Sequence, residues 1–153
     1  MPSSQTPSVD LAIRNDMAEL AIVTDALDRI REEAAVPGRI VTQLQVALDE
    51  LLSNIIKYAW PEGGSHELHV HIGVQLGEIQ VVIVDDGKPF DPRGEAGPAS
   101  PQPGREPRAG GLGIHMVKQL VDRLDYARID GRNRVTLVKQ YISGAAPRQD
   151  GRQ

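Results

Sequence analysis

The 153-residue sequence contains no cysteine, which excludes disulfide bonds, thiolate metal ligands and cysteine nucleophiles. Aromatic residues make up only 3 % of it, so recognition of nucleic acid by base stacking is not expected. The formal net charge of −4 offers no overall basic surface for nucleic acid or anionic lipid. No apolar run approaches the roughly 18 residues of a membrane-spanning helix, and residues 1–8 lack the pattern of a signal peptide. We therefore expect a cytoplasmic protein of one domain.

The chain contains segments with helical spacing of apolar residues and segments with strand-like alternation. Helical spacing of apolar residues predicts helices over residues 17–33, 39–59 and 113–124. Alternating or β-branched runs predict strands over residues 9–13, 68–74, 79–84, 126–129 and 135–141. Hairpin turns are predicted at Gly77-Glu78 and Asp130-Gly131. The pattern predicts an α/β (α+β) two-layer sandwich, with one mixed, largely antiparallel sheet covered on one face by three helices.

Three segments are not expected to contribute to the core. Residues 1–8 are predicted to be a disordered N-terminus and residues 143–153 a flexible tail. Residues 88–111 contain six prolines and five glycines and almost no large apolar side chain. A loop of this length inside a compact domain is usually functional or disordered. The predicted domain therefore spans residues 9–142 and includes residues 88–111 as a loop over a site.

Glu50 and Asn54 are the first group that suggests chemistry. A spacing of four residues places the carboxylate and the amide on one face of the second helix. Burying a carboxylate without compensation costs several kcal/mol, so Glu50 needs solvent or a ligand. Carboxylate and amide oxygens suit Mg²⁺. The alternative is a polar edge where this helix meets water, and the pair alone does not exclude it.

Asp85 and Gly87 form the second group, directly after a β-branched strand. A carboxylate at that edge of the sheet is able to accept a hydrogen bond from an exocyclic amine such as that of adenine, and the glycine lets the base approach the backbone. A simple turn that ends the strand is the alternative, because Asp and Gly are common in turns.

Gly111, Leu112 and Gly113 form the third group, between the long loop and a predicted helix. Glycines next to the free amides of a helix N-terminus form a site suited to phosphate groups. A short glycine motif is weak evidence by itself, and this one is neither a Walker A loop nor a dinucleotide fingerprint. His115, two residues further on, is open to either a phosphate contact or a structural role.

Three closely spaced histidines, His66, His69 and His71, invite comparison with a zinc site. Strand alternation places His69 and His71 on one side of a strand, but no acid or thiol completes a ligand set. We therefore predict no zinc site there.

The order of the three groups is more specific than any one of them. Along the chain they read Glu-x-x-x-Asn on a helix, Asp-x-Gly after a strand, a long Pro/Gly-rich loop and Gly-x-Gly before a helix. This order resembles the nucleotide-binding motifs of the GHKL superfamily, which includes gyrase, histidine kinases and MutL. The resemblance covers residues 9–142 and implies the Bergerat ATP-binding fold, with ATP and Mg²⁺ as ligands.

The resemblance also implies a role for each position. Asp85 would recognise adenine beside Gly87, and Asn54 would hold Mg²⁺. The stretch 111–113, which contains Gly111, Leu112 and Gly113, would bind the phosphates.

Further positions carry weaker implications. Thr136 matches a position that contacts the network around adenine, and Lys57 matches a basic position that reaches phosphate. Residues 88–111 would form a lid over ATP, with Arg93, Arg105 or Arg108 near the γ-phosphate and no basis for choosing among them.

Within the superfamily, the chain resembles the bacterial anti-sigma factor serine kinases of the RsbW and SpoIIAB type. Residues 85–92 are similar to the corresponding segment of that group, and Glu50 stands where histidine kinases usually have asparagine. A serine hydroxyl benefits from a carboxylate that takes its proton, so Glu50 is predicted to be the catalytic base. The resemblance implies a serine/threonine kinase that phosphorylates a small STAS-like anti-sigma-factor antagonist and also binds a sigma factor or another regulator.

Other functions stay open at the level of sequence. One is a non-catalytic module that binds ATP as a conformational ligand and sequesters a regulator. A simple ATPase related to gyrase is a third. The resemblance also leaves a homodimer open.

Overall fold

The computed structural model describes residues 6–93 and 111–142. The elements are β1 (Ser8–Arg14), a 3-10 turn (Met17–Glu19), α1 (Leu20–Ala34), α2 (Gly38–Tyr58), β2 (Glu67–Gln75), β3 (Glu78–Asp85), α3 (Gly111–Leu120), β4 (Arg123–Ile129) and β5 (Arg132–Gln140). The predicted order of helices and strands is confirmed. The predicted tail, most of the predicted disordered N-terminus and residues 94–110 of the predicted lid lie outside the described residues.

The five strands form one sheet in the order β1-β2-β3-β5-β4. Each of the four hydrogen-bonded pairs is antiparallel. The predicted α+β sandwich is confirmed, but the parallel pairing that a mixed sheet implies is not found among the described strands. The physical reason is the insertion of β5: β3 and β4 run in the same direction and are connected through α3, yet β5 lies between them.

Helix α2 provides the centre of the core, as its apolar pattern predicts. Leu44, Leu48 and Leu52 recur every four residues along it and are at most 1 % exposed. They pack in one cluster with the inward side chains of the sheet, which include Leu68 on β2 and Ile83 on β3. The buried stripe fixes which face of α2 meets the sheet, and it leaves the Glu50 side of the helix half-buried.

Two hairpin turns set the register of the sheet. Leu76 and Gly77 have φ values of 45° and 79°, and Asp130 and Gly131 have φ values of 52° and 76°. Positive φ at both central residues matches the right-handed twist of the flanking strands. The Asp130-Gly131 turn is confirmed, whereas the first turn lies one residue earlier than the predicted Gly77-Glu78.

Helix α3 is shorter than its apolar spacing predicts. It ends at Leu120 rather than at residue 124, and β4 begins at Arg123 rather than at residue 126. The Lys139 ammonium donates to the Leu120 carbonyl at 2.7 Å, and the Asp122 amide donates to the Val138 carbonyl at 2.9 Å. Contacts with β5 therefore end the helix where the sequence has no glycine or proline to stop it.

The sheet face opposite the helices carries the polar side chains of the alternating strands. On it, His71 Nδ1 lies 2.7 Å from Asp10 and His69 Nε2 lies 3.5 Å from Glu67. Across residues 6–93 and 111–142, no group of three or more His, Asp or Glu side chains is arranged to hold a metal ion. The helices of this part of the chain are also too short or too polar to cross a membrane.

Candidate nucleotide site

Glu50 and Asn54 lie together on α2, as their spacing predicts. Asn54 Nδ2 donates to the Glu50 carbonyl at 2.8 Å and to Glu50 Oε2 at 3.0 Å. Both partners are acceptors, which fixes the nitrogen of the amide toward Glu50 and leaves its oxygen on the other side. That amide oxygen is a hard oxygen ligand of the kind that fits Mg²⁺, and the second carboxylate oxygen of Glu50 stays open at the same half-buried surface.

Gly113 brings the start of α3 against Glu50. A Cβ atom added at Gly113 would overlap the Glu50 carboxyl group, so the close approach requires a residue without a side chain. Helix α3 begins at Gly111, two residues earlier, and its first amides have no partner within the helix. The fold thus places the Glu50 carboxylate beside a helix N-terminus that is able to bind phosphate.

Asp85 ends β3 and is 3 % exposed. Its Oδ1 atom accepts hydrogen bonds from the Gly87 amide at 2.8 Å and from Asn133 Nδ2 at 3.0 Å. Burial raises the pKa of Asp85 above its ordinary value, and these two hydrogen bonds partly offset the effect. Because Oδ1 already has two donors, Oδ2 is the oxygen that is left for a ligand.

Gly87 joins this carboxylate to the end of α2. The Lys88 amide donates to the Ala59 carbonyl at 2.9 Å, and a Cβ atom on Gly87 would lie 2.7 Å from the same carbonyl oxygen. The segment after β3 therefore lies directly on the C-terminal end of α2. Asp86 is exposed and accepts instead from Trp60 Nε1 at 3.1 Å, so the two neighbouring acids have different environments.

Asn133 is the buried polar residue that the sequence analysis missed. It is 3 % exposed and lies directly across from Asp85 in the β3–β5 pairing. Its Oδ1 atom accepts from the Tyr126 hydroxyl at 2.6 Å and from Arg128 Nη1 at 3.0 Å, and its Nδ2 atom also donates to the Lys88 carbonyl at 2.8 Å. Between two arginines and next to a predicted turn, it looks like a residue of an exposed hairpin. Only the register of the strands reveals its position.

Thr136 is not brought to this site, contrary to its predicted role in the adenine network. It pairs with Val82, whereas Asp85 pairs with Asn133 three residues earlier. Side chains alternate along a strand, so an odd separation places Thr136 on the opposite face of the sheet from Asp85.

Three further predicted positions lie on segments next to these groups. Lys57 is exposed near the end of α2, three residues after Asn54. Arg93 forms an ion pair with Asp91 at 2.9 Å. Leu112 lies in the first turn of α3.

Two of the three candidate lid arginines lie in the part of the chain that the structure does not describe, namely Arg105 and Arg108.

Comparison with known proteins identifies the family of this chain. The histidine kinase-like ATPase domain family matches residues 13–139. The serine/threonine-protein kinase BtrW of Bordetella bronchiseptica is 28 % identical over 138 residues, which cover 88 % of this chain and 94 % of that protein. The serine-protein kinase RsbW of Bacillus subtilis is 26 % identical over 109 residues, 68 % of this chain and 66 % of that one.

A solved structure shows the same fold. It contains the RsbU and RsbW domains of a Mycobacterium tuberculosis protein, with a TM-score of 0.61, 14 % identity and a match over 90 % of this chain. This chain spans about a third, 32 %, of that longer protein. The resemblance to the histidine-kinase-like superfamily, predicted from the order of the three motifs, is confirmed. The resemblance to its RsbW type, predicted from residues 85–92 and Glu50, is also confirmed. The chain belongs to the histidine kinase-like ATPase domain family.

Proposed function

We propose that this protein is an ATP-dependent serine/threonine kinase that works as a partner switch. It phosphorylates a small STAS-like antagonist and binds a sigma factor or a similar regulator. The observation that carries the proposal is the position of the Glu50 carboxylate, which Asn54 holds directly against Gly113 at the start of α3. A phosphate group bound at this helix start lies next to a carboxylate that is able to take a proton from an attacking hydroxyl.

The rest of the site supports ATP as the phosphate donor. Asp85 Oδ2 is the acceptor for an exocyclic amino group of the base, and Gly87 lets the base approach the backbone where it lies on Ala59. Lys57 adds positive charge three residues beyond Asn54. The base and phosphate ends of the nucleotide are thus served by different elements, β3 and α3.

The reaction requires little covalent chemistry from the protein. The Glu50 carboxylate accepts the proton of the substrate hydroxyl, and the amides at the start of α3 hold the transferred group in line. Asn54 would hold Mg²⁺ through its amide oxygen, and the ion would neutralise phosphate charge.

Glu50→Gln separates use of ATP from binding of ATP. The amide has the same shape but accepts no proton, so we expect the rate of phosphoryl transfer to the antagonist to fall about 100- to 10,000-fold. The affinity for ATP should change only a few-fold. Transfer is measured with radiolabelled ATP and the cognate antagonist, and affinity by calorimetry.

Asp49→Asn is the matched control, because Asp49 is the neighbouring carboxylate on α2 and is exposed. It should leave transfer within about twofold of the unmodified protein, as an exposed substitution outside the site does. Transfer that survives in Glu50→Gln would refute the assignment of the base. Binding of ATP and of the regulator with no transfer in the unmodified protein would instead favour a non-catalytic binding module.

A further inference from the structure

The segment from Lys88 to Arg93 is fastened to β4 and β5 at both of its ends. At the first end, Asn133 Nδ2 donates to the Lys88 carbonyl at 2.8 Å. At the second end, the Arg93 guanidinium lies 5.9 Å from the centre of the Tyr126 ring, within the range of a cation–π contact. Lys118 of α3 also donates to the Arg93 carbonyl at 2.9 Å.

Tyr126 is the residue at which these two attachments meet. Its ring faces Arg93, while its hydroxyl donates to Asn133 Oδ1 at 2.6 Å. Tyr126 therefore belongs both to the end of this segment and to the buried network around Asp85. No motif in the sequence indicates this position.

The Tyr126 hydroxyl is one of three donors that hold the Asn133 amide oxygen. Arg128 Nη1 and the Phe90 amide are the other two, at 3.0 Å and 3.4 Å. Turning the amide over would place its NH₂ group against the guanidinium and the Phe90 amide, neither of which accepts a hydrogen bond, so the oxygen must stay on their side. The nitrogen is then directed at Asp85 Oδ1, 3.0 Å away.

We propose that Tyr126 is a positioning residue for the nucleobase. Its hydroxyl makes the shortest of the hydrogen bonds that hold Asn133, Asn133 occupies Asp85 Oδ1, and Asp85 Oδ2 is thereby directed at an exocyclic amino group of the base. This inference rests on the proposed function, since it assigns the base to Asp85. A structural role alone would stabilise the fold without distinguishing one base from another.

Tyr126→Phe removes the hydroxyl and keeps the ring over Arg93. We expect the affinity for ATP with Mg²⁺ to fall about three- to tenfold, the usual effect of one lost neutral hydrogen bond. Purine riboside triphosphate has the same ring and phosphates but no 6-amino group. The affinity of Tyr126→Phe for this analogue should therefore stay within about twofold of that of the unmodified protein, because the analogue makes no use of the orientation of Asp85 Oδ2.

The inference is tested by the ratio of the affinity for ATP to the affinity for purine riboside triphosphate. A smaller preference in Tyr126→Phe than in the unmodified protein supports the inference. An equal loss for both nucleotides, or no loss for either, overturns it. Tyr141→Phe, at the opposite end of β3–β5 from Asp85, is the control and should leave both affinities unchanged. If the unmodified protein binds neither nucleotide, the proposed function itself fails.

Discussion

At the scale of single residues, the buried Asp85 carboxylate lowers the stability of the fold, and in the proposed site it contacts the base. Burial raises its pKa, so the folded chain binds a proton more tightly than the unfolded chain does. The free energy of unfolding therefore falls as pH rises from the ordinary value of 3.8 to the raised value, and the cost is fully present above it. We expect Asp85→Asn to be more stable than the unmodified protein at pH 7, with the difference shrinking as pH falls toward 4.

The substitution that stabilises the fold should also abolish binding at the proposed site. An amide in place of the carboxylate keeps one oxygen for Gly87 and Asn133 but turns its NH₂ toward the amino group of the base. We expect affinity for ATP to fall at least about 100-fold, since two donors then face each other. Urea unfolding at several pH values and calorimetry with ATP measure the two effects. A variant that is less stable at pH 7 than at pH 4, relative to the unmodified protein, would contradict the sign.

A residue of the candidate site is predictable from the sequence when its partners are close to it along the chain. Glu50 and Asn54 are recognised because a helix repeat of four residues places them together. Asn133 is missed because its partners at positions 85, 88 and 126 are far apart in the sequence. Thr136 is misplaced because it is the register of β5 on β3 that decides which side of the sheet it faces.

At the scale of elements, the close approach of Glu50 on α2 to the start of α3 depends on Gly113. Alanine is the better helix former by about 1 kcal/mol, so Gly113→Ala alone would be expected to strengthen α3. Its Cβ atom would nevertheless overlap the Glu50 carboxyl group, which must then move. We expect phosphoryl transfer to fall at least about 100-fold, because small displacements of a catalytic group are costly.

The test of Gly113→Ala compares transfer rate with thermal stability. Gln119→Ala, on the same helix and exposed, is the control and should retain the transfer rate. A Gly113→Ala protein that transfers phosphate at the normal rate would show that the Glu50 carboxylate does not need its place beside the helix start.

The boundaries of the elements show where local sequence patterns stop being predictive. The strands β1, β2 and β3 are found to within about a residue because alternation or a β-branched run is bounded by turns. The boundary of α3 and β4 is not, since Leu120, Val121 and Leu124 fit a helical repeat as well as the start of a strand. Lys139 on β5 decides between them by capping the helix at Leu120.

At the scale of the whole molecule, the fold brings together groups that are distant in the sequence. The proposed site takes Glu50 from α2, Asp85 from β3 and Gly113 from α3. The class of fold follows from periodicity, because one covered sheet face requires alternating strands and amphipathic helices. The position of β5 between β3 and β4 does not follow from the pattern, since a sheet with β4 next to β3 would bury the same apolar residues.

A nucleotide that touches all three elements must stabilise the whole chain. At a concentration of ATP about 100 times its dissociation constant, the free energy of unfolding should rise by about 2.7 kcal/mol. For a chain of this length, that corresponds to a rise in Tm of roughly 5–10 °C, measured by differential scanning fluorimetry with Mg²⁺. Asp85→Asn should show no such rise at the same ATP concentration, because it loses the base contact. An equal rise in both proteins would mean that ATP stabilises the fold from a different place, since only a ligand held at Asp85 links β3 to the start of α3.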